Sequence, residues 1–171
     1  MPYGIVLLPD PATSATLTAL ATTIGAAAGP LNLAGPKAPP HVSVLHIDTE
    51  DRAPLDAWLH AHPGPLTVKI IGLLFAAVPA GDYYVPTGGS YFGLEIVRRP
   101  DLDALHSSAL ALPAGPPLGN VGPDFRPHIT LGMVSGTPHL PDLATIPAGE
   151  LTLTPVVGRI GPFGSFPGLA P

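Results

Sequence analysis

Two histidines stand in the same short pattern. Pro40-His41-Val42-Ser43-Val44 returns as Pro127-His128-Ile129-Thr130-Leu131, each time proline, histidine, aliphatic, hydroxyl, aliphatic. The copies lie 87 positions apart (128 minus 41), about half of the 171-residue chain. A single His-aliphatic-hydroxyl-aliphatic match arises by chance roughly 0.1 times in a chain of this composition. Two matches at half-chain spacing therefore argue for a duplicated plan.

The chemistry follows from strand geometry, in which residues i and i+2 share a face. His41 and Ser43 then share one face while Val42 and Val44 turn to the core, and His128 and Thr130 repeat the arrangement. A pseudo-twofold fold would gather two imidazoles and two hydroxyls around one small cleft. In-line displacement at phosphorus needs a base for the entering oxygen and an acid for the leaving one. Histidine, with a reference pKa near ~6.5, fills either role near neutral pH. Ser43 and Thr130 can donate hydrogen bonds to the nonbridging oxygens. Such a reaction requires no metal. The symmetry leaves open which histidine is acid and which is base.

The elements that must carry these residues can be read from periodicity and punctuation. Ile5 to Leu8 reads as a buried strand closed by Pro9. Asp10 is a helix N-cap with Pro11 behind it, and Leu17, Leu20, Ile24 and Ala27 recur at helical spacing until Gly29-Pro30. Asn32 to Pro40 reads as loop, His41 to Ile47 as a strand, and Pro54 to Ala61 as a helix with Leu55, Trp58 and Leu59 inward. Leu66 to Phe75 and Tyr91 to Val97 are strands. Pro100 opens a helix that Pro113 closes. Pro116 to Pro123 reads as loop, then His128 to Val134 and Leu151 to Val157 as strands. Strand, helix, strand occurs in each half, the mark of an α+β architecture built twice.

Other candidate residues compete with plainer roles. Tyr83, Tyr84, Tyr91 and Phe92 flank a glycine-rich turn and could stack a nucleobase; ordinary hairpin packing would use them equally well. Arg126, beside the second motif, and Lys37, in the loop before the first, could meet a substrate phosphate. Arg98 and Arg99 could also line a local pocket. His46 differs from His41 by an odd number, so an unbroken strand turns it to the opposite face. His60 and His62 lie about 200° apart on a helix, which does not suit zinc. His106 and His139 belong to no motif and read as surface residues. Gly88-Gly89 is not followed by the Gly-Lys-[Ser/Thr] of a phosphate-binding loop.

Composition limits the partners. Hydrophobic residues at 46% against 11% charged allow the chain to fold alone, and 171 residues suit one domain of two lobes. The 25 prolines and 20 glycines punctuate apolar segments and do not form a low-complexity block. With seven Lys and Arg and a net charge of −5, a duplex nucleic acid is not an expected partner. A small phosphate ester or an oligonucleotide end fits better. The absence of cysteine excludes disulfides and thiolate chemistry. The N-terminus lacks a secretory signal and Ile70 to Val78 is too short to span a bilayer, so a cytoplasmic protein with no membrane partner is expected, with a monomer favoured.

The paired H-x-[ST]-x motifs resemble those of the 2H phosphoesterase superfamily, which includes the 2′-5′ RNA ligase-like and 2′,3′-cyclic phosphodiesterase proteins. Phe125-Arg126-Pro127-His128-Ile129-Thr130-Leu131-Gly132 is especially close to that family's second motif, and the order of elements is similar across nearly the whole chain. The resemblance implies a bilobal α+β fold, with two antiparallel sheets flanking a central cleft and helices outside, spanning residues 1–171 as one domain. It also implies a reaction free of metal and cofactor, on 2′-5′ linked or cyclic nucleotide phosphates, with His41, Ser43, His128 and Thr130 as the catalytic set. A noncatalytic nucleotide-binding module and a phosphodiesterase for a non-nucleotide substrate remain alternatives.

Overall fold

The computed structural model describes residues 2–169. Its first half runs β1 (Tyr3–Leu8), α1 (Pro11–Gly25), β2 (Pro30–Leu33), β3 (His41–Ile47), α2 (Ala53–Ala61) and β4 (Leu66–Val78). Its second half runs β5 (Gly89–Ile96), α3 (Pro100–Leu110), β6 (Pro117–Leu118), β7 (His128–Val134) and β8 (Gly149–Arg159), with short 3-10 turns between and after them. Both motif strands fall where the pattern predicts. The strands β4, β5 and β8 are longer than expected, because each pairs along most of its length with a long neighbour. The predicted loops at Asn32 to Pro40 and Pro116 to Pro123 are corrected in part, since each overlaps a short strand, β2 or β6.

All pairings are antiparallel, and the strands form one eight-stranded sheet in the order β2-β7-β5-β4-β8-β1-β3-β6. This corrects the expectation of two separate sheets. The reason is a further contact, His41↔Thr130 and Val42↔Ile129, which joins β3 to β7 and closes six strands into a ring. Exchanging each strand for its counterpart in the other half (β1 with β5, β2 with β6, β3 with β7, β4 with β8) reverses the order and changes nothing else. The duplication seen in the motifs therefore extends through the sheet.

The two halves are interleaved. The strand β4 lies between β5 and β8, and β2 and β6 each pair with the motif strand of the opposite half. Helix α1 packs on β7 and β2, α3 on β3, and α2 on β8. Asp10 caps α1 by accepting hydrogen bonds from the amides of Ala12 and Thr13, at 2.9 and 3.0 Å, with Pro11 in the first turn. The buried face of α1, Leu17, Leu20, Ala21 and Ile24, joins Val42, Val44, Phe92, Ile129 and Leu131 in the main core. Burial of that face anchors the motif strands from behind. No helix among the described residues is long and apolar enough to cross a membrane.

Candidate active site

Each motif strand carries a β-bulge at the same place. Against β1, Ile5 pairs with Leu45 and Val6 with Ser43, leaving Val44 as the extra residue. Against β5, Phe92 pairs with Gly132 and Gly93 with Thr130, leaving Leu131 extra. Val44 and Leu131 are equivalent positions in the two motifs. A bulge shifts the alternation of side chains by one. Both Val44-Leu45 and Leu131-Gly132 are accordingly buried doublets inside otherwise alternating strands.

The bulges overturn the parity argument for His46. Beyond Val44 the phase is reversed, so His46 lines the same cavity as His41 and Ser43, and Met133 takes the equivalent place on β7. The cavity measures about 450 Å³, within the usual range for a small-molecule site. His41, Ser43, His128 and Thr130 all face it. The β3–β7 register sets His41 opposite Thr130, which brings the first motif's histidine to the second motif's hydroxyl.

Both motif histidines are held in one tautomer. Nδ1 of His41 donates to the Pro39 carbonyl and Nδ1 of His128 to the Arg126 carbonyl, each at 2.8 Å and two residues back. A carbonyl oxygen can only accept, so the proton resides on Nδ1 in the neutral ring and Nε2 is left with its lone pair. The surroundings of the two rings differ. His41 is buried, with the Phe166 ring edge-on at 4.8 Å. His128 is half-buried, with Tyr91 at 5.2 Å.

Burial is the main influence on their charge. It lowers His41 to about 4, opposed by the hydrogen bond to Pro39 and aided by repulsion from His128. Burial also lowers His128; the hydrogen bond to the Arg126 carbonyl opposes this, the Arg126 guanidinium adds to it, and Glu95 offsets that repulsion in part. His41 is therefore neutral at pH 7, and burial favours the neutral form of His128 as well. His46, half-buried beside them, is brought down to about 3 by burial and by the two neighbouring histidines. Its Nδ1 lies 2.6 Å from the Tyr84 hydroxyl, and its buried Nε2 has no partner among the described residues.

These depressed values make stability depend on pH. The unfolded chain, with histidine near ~6.5, binds protons that His41 and His46 refuse in the fold, so acidification favours unfolding. Stability from this source is complete above about pH 6.5 and drains away down to about pH 3 to 4. The melting midpoint, followed by circular dichroism, is expected to fall between pH 7 and pH 4, with a shallower fall in His46→Phe. A midpoint that stays level over that range would show that these rings are not held neutral.

The loop before the second motif is fixed by two residues that the sequence did not single out for this task. His106 is buried and not on the surface as expected. Its Nδ1 donates to the carbonyl of the bulge residue Val44 at 2.7 Å, and its Nε2 accepts from the Gly122 amide at 2.9 Å. The Phe125 ring stacks on it at 4.0 Å. Arg98 does not line the cavity; its guanidinium binds the carbonyls of Gly122, Pro123 and Phe125 and the carboxylate of Asp103. Together they tie one cavity wall to the first motif strand.

Of the other expected substrate contacts, Tyr84 and Tyr91 line the cavity. Tyr83 is 59% exposed and lies outside it, and Phe92 is a core residue. Lys37 is exposed and outside the cavity, because the turn that carries it folds on itself through Gly35 and Ala38. Arg126 reaches the cavity, with Nε and Nη2 both on Oε1 of Glu95, at 3.1 and 2.9 Å. Arg99 pairs with Glu150. His60 and His62 bond to backbone carbonyls of their own helix, and His62 stacks on Trp58. His139 is exposed. Among the described residues no group of three or more His, Cys, Asp or Glu side chains could hold a metal ion.

Sequence reasoning missed the C-terminal segment. Phe163 and Gly164 line the cavity, while Phe166 is buried against Gly4, His41 and His46. This segment follows β8 as the Tyr83-Tyr84 loop follows β4, so each half sends the chain after its fourth strand over the cleft. The aromatic residues in a Gly-Pro-rich tail were the available signal. In comparisons with known proteins, no family model matches this chain and no curated protein matches it.

Proposed function

We propose that the protein is a phosphodiesterase that hydrolyses a cyclic phosphate or a 2′-5′ linkage by general acid and base catalysis from His41 and His128. The observation that carries this reading is the β3–β7 pairing. It puts two histidines, each with Nδ1 tied to a carbonyl and Nε2 free, on one small cavity beside Ser43 and Thr130. The resemblance of both motifs to the 2H phosphoesterase superfamily supports the same reading and the bilobal fold that goes with it.

In this scheme Nε2 of one histidine takes a proton from water as the water oxygen bonds to phosphorus. The bond from phosphorus to the leaving oxygen breaks, and the other histidine supplies that oxygen with a proton. A bound phosphate anion favours the charged form of both rings, and so opposes the lowering that burial imposes. His41, the more deeply buried, suits the base. His128 suits the acid, because it is the less buried of the two and its hydrogen bond to the Arg126 carbonyl favours the imidazolium. Ser43 and Thr130 donate to the nonbridging oxygens, where charge is concentrated in the transition state.

The test is turnover of 2′,3′-cyclic nucleotides and 2′-5′ dinucleotides in excess EDTA. The expected result is a nucleoside phosphomonoester from the cyclic nucleotide, and one nucleoside with one nucleotide from the dinucleotide, at a rate that chelation leaves unchanged. A folded protein that binds these compounds and turns none of them over would instead be a nucleotide-binding module.

A further inference from the structure

Charge in the cavity is unusually sparse on the positive side. Among the described residues Arg126 is the only lysine or arginine that lines it, and that guanidinium already engages Glu95 through two nitrogens. The remaining cations lie elsewhere, with Arg98 on loop carbonyls and Arg99 on Glu150. Asp82 adds a carboxylate to the lining, where its Oδ1 accepts from the amides of Tyr84 and Val85. Beyond the histidines and hydroxyls, much of the wall is apolar, including Ala76, Val78, Leu118 and Phe125.

We infer that the site selects phosphodiesters bearing a single negative charge and an uncharged remainder, and rejects substrates with a second phosphate. The inference rests on the phosphodiesterase reading and narrows it. The reacting phosphate carries one charge, which two neutral hydroxyls and one imidazolium can match. A terminal phosphate brings a further ~1.5 to 2 charges at pH 7. Placed in this cavity it would lose water, meet only the one guanidinium already paired with Glu95, and face the carboxylate of Asp82. An oligonucleotide fares no better, since chains of phosphates are held by tracks of lysine and arginine. The fitting class is therefore the cyclic phosphate of one nucleoside, or of another neutral polyol of similar size.

The experiment compares three substrates: a nucleoside 2′,3′-cyclic monophosphate, the same compound with a 5′-phosphate, and a trinucleotide ending in a cyclic phosphate. The singly charged compound is expected to have a kcat/KM about tenfold or more above the others, through KM. Asp82→Asn keeps the Oδ1 acceptor for the two amides and should narrow the gap several-fold, as should raised salt. Equal or faster turnover of the 5′-phosphorylated compound would overturn the inference. So would a gap that neither Asp82→Asn nor salt narrows. If none of the three is turned over, the phosphodiesterase reading fails by itself. Calorimetric binding of the first two compounds then still decides the charge rule, the 5′-phosphorylated one being expected to bind about tenfold more weakly.

Discussion

Replacing His128 by alanine is expected to lower kcat on a 2′,3′-cyclic nucleotide by about 10³-fold, and His41→Ala by a similar factor, since acid and base catalysis each typically contribute 10²–10⁴-fold. The double variant should lose little beyond either single one, because two groups that act in one transition state are not additive. The roles can be separated by the leaving group. An ester of p-nitrophenol departs without a proton, so on that substrate the acid is dispensable and the base is not. His128→Ala should therefore recover most of its deficit on a p-nitrophenyl phosphodiester, while His41→Ala should not. The reverse pattern would exchange the two roles. Activity within tenfold of wild type in either alanine variant, with the fold intact by circular dichroism, would remove that histidine from the mechanism. Ser43→Ala and Thr130→Ala should cost on the order of 10²-fold each, as for one donor to a developing oxyanion.

The candidate catalytic set was legible because it is local. His41, Ser43, His128 and Thr130 announce themselves by type and spacing, and β3 and β7 have the predicted bounds because their aliphatic residues alternate about them. What failed depends on partners distant in sequence. The bulges at Val44 and Leu131 arise from pairing with β1 and β5, so the parity rule placed His46 on the wrong face. A trace was present: Val44-Leu45 puts two large aliphatics side by side in an alternating strand. The strands β2 and β6 are short, start with proline, and exist only by pairing with the opposite half, which no local pattern reveals. His106 has no motif because its partners, Val44 and Gly122, are a carbonyl and an amide that any residue could supply. Lys37 and Tyr83 were plausible by position in the chain, yet exposure places both outside the cavity.

Gly93→Ala is expected to be strongly destabilising, since an added Cβ there meets a closer backbone atom than at any other described glycine. Gly93 sits at the bulge of β5 against β7, where an added Cβ would lie 2.2 Å from the Ile129 carbonyl oxygen and 3.5 Å from the Cα of Thr130. The obstacle is backbone, so no side chain can swing aside to relieve it. Moving the Ile129-Thr130 segment away would strain the pairs Val42↔Ile129 and His41↔Thr130, the contacts that close the sheet. The expected cost is about 3 kcal/mol. That corresponds to a fall in melting midpoint of roughly 6–12 °C for a chain of this size. Gly72, beside the irregularity where β4 pairs with β5, provides the contrast: nothing lies within 4 Å of its added Cβ. Gly72→Ala should therefore leave the midpoint within a degree or two, or raise it slightly by restricting the unfolded chain. If both variants melt like the wild type, β5 and β7 do not approach this closely at Gly93. If Gly93→Ala folds but loses turnover, the displacement has been absorbed at Thr130, which would locate the catalytic geometry in the β3–β7 contact itself.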